Sequence, residues 1–268
     1  MVTSTLVGPG ASTTGAGISG WLRPNRLMAL AGLVLLAPAA ARAQAPAWSW
    51  AASSSAGGPA VVEKVATDAQ GNAYVTGRFT KQVSFGPHVL QSAGSSDVFV
   101  AKVSAAGQWE WAVAAGGPQA DLAAGIVLDA QRNIVVAGSF GDSARFGSQT
   151  RQSAGSQDIF VARLSAAGKW LSVHTAGGDQ QDQVLALAID AQDNVLVGGR
   201  YSGNISFGTS ALQSGAGTEA FVAKLGPAGK WRWARQTTGS TQTVINRLAV
   251  DAAGDIYAAG YFEGDTQV

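Results

Sequence analysis

Two acidic residues at equivalent positions in the sequence are the first candidates for chemistry. Asp121 and Asp182 lie at a spacing of 61 in the chain, and each follows a short polar stretch. We expect both in loops that present their carboxyls on one face of the protein. Two carboxyls within about 10 Å of each other can hydrolyse a glycosidic bond. Short polar loops commonly carry Asp without any catalytic role, so Asp121 and Asp182 are weak candidates for ligand binding, and neither is predicted to be catalytic.

The other reactive residue types do not form a recognisable constellation. His88 and His174 do not recur at the spacing of 61, so no His-His metal pair or Ser-His-Asp arrangement is indicated. The chain has no cysteine, which excludes a thiolate metal site and a cysteine nucleophile. No phosphate loop or dinucleotide-binding fingerprint is visible. We therefore predict no catalytic residue, no metal and no cofactor.

Pairs of tryptophans offer a second kind of site. Trp109 and Trp111 are two residues apart, and on a regular strand they would share a face. Exposed aromatic pairs can stack on sugars. The pair recurs at the same spacing, as Trp48 with Trp50 and Trp231 with Trp233. Because the position is fixed, we favour packing between repeats over a ligand platform.

The spacing of 61 extends through the chain. Three landmarks keep it over four copies: Trp48, Trp109, Trp170 and Trp231; Asp68, Asp129, Asp190 and Asp251; Gly77, Gly138, Gly199 and Gly260. A fixed period of this length is typical of repeat architectures. We predict units at about 48–108, 109–169, 170–230 and 231–268, the last one truncated.

One unit divides into four short strands separated by turns. The strands are predicted at 123–128, 134–140 and 158–164 and from Trp170 onward. A loop from Asp129 to Asn133 joins the first two strands, and every unit has its equivalent. The leading Asp can accept turn N–H groups, and a closing Asn or Asp tolerates a left-handed backbone. The repeated Asp residues are therefore predicted to form turns, with cation binding as the weaker alternative.

The strand over residues 98–103 is apolar on both sides of its pleat, whereas a sheet with one wet face would alternate. A β-propeller covers both faces, because each four-stranded blade packs between two neighbours. A β-solenoid would show a shorter sub-period, which is absent. We predict an all-β fold, a β-propeller of four-stranded blades with a 61-residue repeat. The residues after 43 make three to four units, so the ring is expected to be incomplete.

A longer motif recurs in each unit. In the first unit it comprises Asp-Ala-Gln-Gly-Asn-Ala-Tyr-Val-Thr-Gly (68–77), Phe85-Gly86, Asp-Val-Phe-Val-Ala-Lys (97–102), Gly107, Trp109, Trp111 and Gly116-Gly117. This motif resembles the bacterial β-propeller repeats called SBBP repeats. The chain departs from it where Arg132 and Asp193 replace the turn glycine, Ser172 the second Trp and Glu219 the strand-opening Asp. The resemblance implies an extracytoplasmic propeller, commonly a module of a larger exported protein, and implies no catalytic residues.

The N-terminus has the pattern of an export signal. Arg23 and Arg26 precede an apolar stretch over 27–41, which is followed by Ala41-Arg42-Ala43. We predict a signal peptide and N-terminal extension at 1–43, cleaved after Ala43, and propeller repeats at 44–268. The apolar stretch is shorter than the roughly 20 residues that span a bilayer, so no membrane span is expected after cleavage.

Composition limits the classes of partner. Charged residues make up 13% of the chain and the net charge is +1, which argues against nucleic-acid binding. We predict a secreted, non-enzymatic binding or scaffold module that presents loops to protein or glycan partners at the cell exterior. Surface attachment through a C-terminal module beyond Val268 is a further expectation. The alternative is a secreted propeller-fold glycan hydrolase or lyase.

Overall fold

Short segments rich in Val, Ile and Phe, separated by Gly, Asn and Asp, fold here as strands joined by turns. A computed structural model of the protein describes residues 51–238 and 242–263, which form nineteen strands and no helix. Within these ranges no helix is long and apolar enough to cross a membrane. The predicted signal peptide at 1–43, Trp48, Trp50 and the last five residues lie outside the described residues.

The first sheet is an antiparallel meander of four strands that pair in chain order. Its strands are β2 (Ala60–Thr67), β3 (Ala73–Phe79), β6 (Asp97–Val103) and β7 (Trp109–Gly116). A hairpin of two short strands, β4 (Gln82–Phe85) and β5 (His88–Gln91), connects β3 to β6. The two-residue strand β1 (Ser55–Ala56) pairs with β4.

Two further sheets repeat this meander. The second contains β8 (Leu122–Leu128), β9 (Ile134–Phe140), β12 (Asp158–Leu164) and β13 (Trp170–Gly178), with the hairpin β10 (Ser143–Phe146) and β11 (Gln149–Gln152) between β9 and β12. The third contains β14 (Asp182–Ile189), β15 (Val195–Phe207), β16 (Ser210–Leu225) and β17 (Trp231–Gln236). A last antiparallel pair follows, β18 (Gln242–Val250) and β19 (Ile256–Glu263). All three meanders use the same register, with Gly77 opposite Phe99, Gly138 opposite Phe160 and Gly199 opposite Phe221.

The short hairpins of the second and third sheets join neighbouring sheets, a feature that the sequence did not predict. Strand β10 pairs with β7 of the preceding sheet through Arg145 opposite Gly116. In the third sheet the hairpin arms are continuous with β15 and β16, and Ser206 pairs with Gly177 of β13. Hydrogen bonds therefore link successive sheets, in addition to side-chain packing.

The core lies between the sheets, because the middle strands are buried on both faces. Every residue of β9 is buried, and β6 and β12 each have only one partly exposed residue, Lys102 and Arg163. Each hairpin contributes a buried Phe at its Phe-Gly turn, namely Phe85, Phe146 and Phe207. The prediction that both faces of these strands are covered is confirmed.

The repeated Asp residues form the predicted turns. Asp68 Oδ1 accepts N–H groups from Gln70 and Asn72, and Asp129 and Asp190 accept the equivalent bonds. The closing Asn or Asp, which was expected to tolerate a left-handed backbone, does not have a positive φ in these turns. Positive φ occurs one residue earlier, at Gly71, Arg132, Asp193 and Gly254.

Candidate functional site

The first strands of the sheets, together with β18, converge on one region. Strands β2, β8, β14 and β18 lie against one another in that order. Each carries a β-bulge at the same position, which leaves one residue outside the regular pairing. The four bulged residues are Glu63, Ala124, Leu185 and Asn246, and all four line one cleft of about 270 Å³. We call it the bulge cleft, since bulges redirect a side chain out of the pleat.

A close backbone approach accompanies each bulge. A β-carbon on Gly77 would overlap the carbonyl oxygen of Val61, two residues before the bulged Glu63. The repeated glycines at 138, 199 and 260 meet equivalent carbonyl oxygens. The close neighbour of each of these glycines is therefore the backbone that leads into the bulge.

The bulge cleft has an excess of positive charge. Among the residues that the structure describes, its lining includes Lys64, Arg78 and Arg247 but only one acidic residue, Glu63. The Arg78 guanidinium pairs with the Glu63 carboxylate at 2.9 Å. Because Glu63 neutralises Arg78, the positive charges of Lys64 and Arg247 remain to attract a negatively charged ligand.

Sequence reasoning missed these residues, although a signal was present. At the spacing of 61, the bulged position is occupied by an acid, a small residue, an aliphatic residue and an amide. The turn Asp and the strand Gly keep their identity in the same four copies. Variable residues on a constant framework are typical of a binding surface.

Asp121 and Asp182 are not presented on a surface. Their exposed fractions are 1% and 0%, so the expectation of carboxyls displayed on loops is wrong. Asp121 Oδ2 accepts the Gly117 N–H at 2.8 Å, and Asp182 Oδ2 accepts that of Gly178 at 2.8 Å. A role for either residue in ligand binding stays a prediction.

Asp121 and Asp182 do not lie beside each other, and each lies beside a different buried carboxyl. Ser96 pairs in parallel with Ala120, and Asp97 and Asp121 come directly after these two residues. The parallel pair of Gln157 and Gln181 brings Asp158 to Asp182 in the same way. The buried partners, Asp97 and Asp158, were recognised in the sequence only as residues that open a strand.

In both carboxyl pairs, burial and mutual repulsion disfavour ionisation of the two carboxyls at the same time. Burial, to which the neighbouring Asp97 adds, raises the pKa of Asp121 to about 7. Burial together with Asp158 raises the pKa of Asp182 to about 8. Burial also raises the pKa values of Asp97 and Asp158. Like charges held close together in a poorly solvated site have this effect.

The tryptophans pack between sheets, as favoured, but the members of a pair do not share a face. In the pairing of β6 with β7, Lys102 lies opposite Trp111 and Val103 opposite Trp109, so Glu110 is bulged out between them. Trp109 packs on Phe85 and donates its indole N–H to Ser53 O. Trp111 lies on the opposite side, beside Tyr74, and donates to Ala166 O in the next sheet. The two rings therefore do not form one stacking platform.

The histidines remain separate, with His88 in β5 and His174 in β13. His174 is half-buried under the turn at Gly229, and burial, with help from nearby Arg151 and Arg163, lowers its pKa. The repeated basic position has a structural use: Arg163 pairs with the turn residue Asp129 at 2.7 Å, and Lys224 with Asp190 at 2.8 Å.

Comparisons with known proteins agree with this geometry. No protein-family model matches the chain. Over 187 residues, 58% of this chain, the sequence is 26% identical to an uncharacterized WD repeat-containing protein of Acanthamoeba polyphaga mimivirus. The matched region spans 14% of that protein's length. WD repeats are β-propeller repeats. The chain has an all-β repeat structure, and this similarity fits a β-propeller.

Proposed function

We propose that the chain is an exported β-propeller module that performs no catalysis and binds an acidic segment of a partner protein in the bulge cleft. One observation carries this proposal: four equivalent bulges direct four chemically different side chains into the same cleft. The similarity to a WD repeat-containing protein supports a scaffold role.

In this proposal the propeller has four-stranded blades with a 61-residue repeat. The common register of the three meanders, in steps of 61, supports that repeat length. We assign the blades to the SBBP type on the motif described above and count three to four of them in this chain. The inner strand of each blade is the bulged strand, and the axis of the propeller passes through the cleft.

The charge of the cleft argues for an acidic ligand. Lys64 and Arg247 lie at equivalent places next to the bulges of β2 and β18. A single exposed ion pair contributes about 0.2–1 kcal/mol, so useful affinity needs several contacts made together. An acidic peptide segment supplies carboxylates along its length and main-chain hydrogen bonds to the polar lining.

A glycan partner is the weaker form of the proposal. Sugar binding typically uses an exposed aromatic face, and the described lining of the cleft contains no aromatic residue. Trp109 and Trp111 donate their indole N–H groups to carbonyl oxygens and face opposite sides of their sheet. A peptide therefore fits the cleft better.

The test measures peptide binding to the full chain by fluorescence anisotropy. The probe is a labelled ten-residue oligo-glutamate peptide, and an oligo-lysine peptide of equal length is the comparison. We expect saturable binding of the acidic peptide alone, weakened about tenfold by Lys64→Glu combined with Arg247→Glu. The matched control is Lys169→Glu, an exposed charge reversal far along the chain from these residues, which should leave the affinity unchanged.

Three results would contradict the proposal. The first is absence of binding to the acidic peptide, and the second is equal weakening by Lys169→Glu, which indicates unspecific charge attraction. The third is turnover in a polysaccharide-hydrolysis screen that Asp121→Asn or Asp182→Asn abolishes. That result would establish the hydrolase alternative.

Export is a separate part of the proposal with its own test. The full chain, produced in a bacterial host with a tag added after Val268, should appear in the extracytoplasmic fraction. Mass spectrometry of the mature N-terminus should identify Gln44 as the first residue. An unprocessed chain retained in the cytoplasm would contradict export.

A further inference from the structure

Two strands expose apolar side chains at positions that are buried in other repeats. Val62 and Val65 lie on one face of β2, where they are 56% and 61% exposed. Their equivalents in β8 at the spacing of 61, Ala123 and Ile126, are only 7% and 6% exposed. In β8 this face packs in one apolar cluster with the preceding sheet. We call Val62 and Val65 the front patch.

The second exposed surface lies on β19. Tyr257, Ala259 and Tyr261 alternate along this strand, so their side chains share one face. Tyr257 is 52% exposed and Tyr261 is 46% exposed. The other three units have a buried side chain at the position of Tyr257, namely Tyr74, Val135 and Leu196. We call Tyr257, Ala259 and Tyr261 the back patch.

A junction inside the chain shows what each patch fits. Ala137 of the second sheet and Val184 of the third sheet belong to one apolar cluster. Ser139 Oγ also accepts the Val184 N–H at 3.1 Å across this junction. In steps of 61, Ala137 and Ser139 correspond to the last two residues of the back patch, and Val184 corresponds to the first residue of the front patch. Ala259 and Val62 even have the same residue types as the internal pair.

The next junction has the same geometry. A β-carbon built on Gly198 of β15 would lie 2.9 Å from Ile245 Cγ2 and 3.0 Å from Leu248 Cδ1 in β18. Ile245 and Leu248 occupy the two front-patch positions of their unit, and Gly198 occupies the middle position of the back patch in its own. The two patches are therefore the two halves of a contact that the chain makes repeatedly between its own strands.

We infer that the back patch of one copy of the chain packs on the front patch of a second copy. Such a contact is heterologous, since it joins different surfaces of two identical chains. A second copy fits because it carries the matching surface with the residue positions of the internal junctions. Association removes exposed Val and Tyr side chains from water, as the internal junctions do for their counterparts.

Sedimentation equilibrium of the full chain over a series of protein concentrations tests this inference. We expect reversible self-association of the wild type. Val65→Asp and Tyr257→Asp should each weaken self-association at least about tenfold, because an unpaired carboxylate would be buried in the contact. The matched control is Val89→Asp, at a residue of β5 that is exposed like its counterparts Thr150 and Ala211. This control should leave self-association unchanged.

A mixture of the two variants distinguishes a heterologous contact from a symmetrical one. Val65→Asp keeps an intact back patch and Tyr257→Asp keeps an intact front patch, so together they should form a 1:1 dimer that neither forms alone. Native mass spectrometry measures this stoichiometry. Dimerisation of either variant by itself would overturn the inference, because like patches would then pack on each other. Absence of the 1:1 dimer in a mixture of folded variants would overturn it as well.

Two results for the single chains would also overturn the inference. A wild type that is monomeric at every concentration would assign the patches to a different protein, and equal weakening by Val89→Asp would indicate unspecific association. Circular dichroism checks folding, and Val65→Gln or Tyr257→Gln, with the same expected results, replaces any Asp variant that lacks the wild-type spectrum. The peptide-binding proposal rests on Lys64 and Arg247 and on a different measurement, so either claim can fail without the other.

Discussion

Gly138 lies against the carbonyl oxygen of Leu122, so closely that a β-carbon on the glycine would overlap that oxygen. Leu122 is two residues before the bulged Ala124, and Gly138 pairs with Ala123 and Phe160 on its two sides. The glycine therefore has a specific role, because it lets the first strand deviate from regular pairing and turn a side chain into the cleft.

Gly138→Ala should lower the free energy of unfolding by about 1–3 kcal/mol, because backbone must move to make room for the methyl group. Urea denaturation followed by circular dichroism measures the change. Gly215→Ala is the control, since a β-carbon there meets only Glu219 Oε1 at 3.6 Å. Its effect should stay within about 0.5 kcal/mol. Equal effects of the two substitutions would refute the steric explanation.

Arg132→Gly should stabilise the protein. Arg132 has φ 63° at the turn position where the first and last units have Gly71 and Gly254. A left-handed conformation costs an L-residue about 1–2 kcal/mol, which the glycine would not pay. The larger conformational entropy of Gly in the unfolded chain reduces this gain by about 0.5–1 kcal/mol. A net increase of about 0.5–1 kcal/mol in the free energy of unfolding is expected.

The comparison for Arg132 is Asp193→Gly at the equivalent turn position. Asp tolerates the left-handed region better, and Asp193 Oδ1 accepts the Ala130 N–H at 2.9 Å. This substitution should give no gain, because the lost hydrogen bond offsets the relief of strain. Destabilisation by Arg132→Gly would show that the guanidinium makes a contribution larger than the backbone strain.

The sequence predicted most strands because turns and aromatic residues recur with a constant period. The strands predicted at 134–140 and 158–164 have these same limits in the structure. The hairpin of β10 and β11 escaped prediction because its second arm, Gln149–Gln152, is polar and lacks the usual strand composition. Its buried Phe146 was recognised only as part of a Phe-Gly pair.

The sites were harder to predict because their geometry is not local. A bulge has no composition of its own, so neither the role of Glu63 nor the opposite orientations of Trp109 and Trp111 follow from alternation along a strand. The pairing of Asp97 with Asp121 depends on a parallel contact between separate sheets. Only the three-dimensional arrangement brings the two carboxyls together.

Phe146→Ala should cost about 3–5 kcal/mol, because a fully buried aromatic ring leaves a cavity. Phe146 is 1% exposed, and its ring centroid lies 5.0 Å from that of Phe160 and 5.5 Å from that of Trp170. Thermal and urea unfolding measure the loss. Leu171→Ala is the control, because Leu171 is 47% exposed and its truncation leaves no buried cavity. A loss below about 1 kcal/mol would mean that the hairpin contributes little to the cohesion of the sheets.

The carboxylate of Asp190 should make stability depend on acid pH. Burial alone would raise its pKa, but hydrogen bonds from Lys224, Asn194 and the Gln192 N–H outweigh that effect, so the pKa of Asp190 is lowered. The folded state therefore binds the proton less tightly than the unfolded chain does. The contribution of Asp190 to the free energy of unfolding is complete above a pH of about 4 and disappears as the pH falls through the folded-state pKa.

Urea denaturation of the wild type and of Asp190→Asn at a series of pH values tests this linkage. The difference in free energy of unfolding between the two proteins should be constant between about pH 5 and 7 and should shrink below about pH 4. Asn keeps the size of the side chain and loses its charge, so the ion pair with Lys224 at 2.8 Å is removed. A difference that stays constant down to about pH 2 would show that Asp190 acts through neutral hydrogen bonds to its turn and not through its charge.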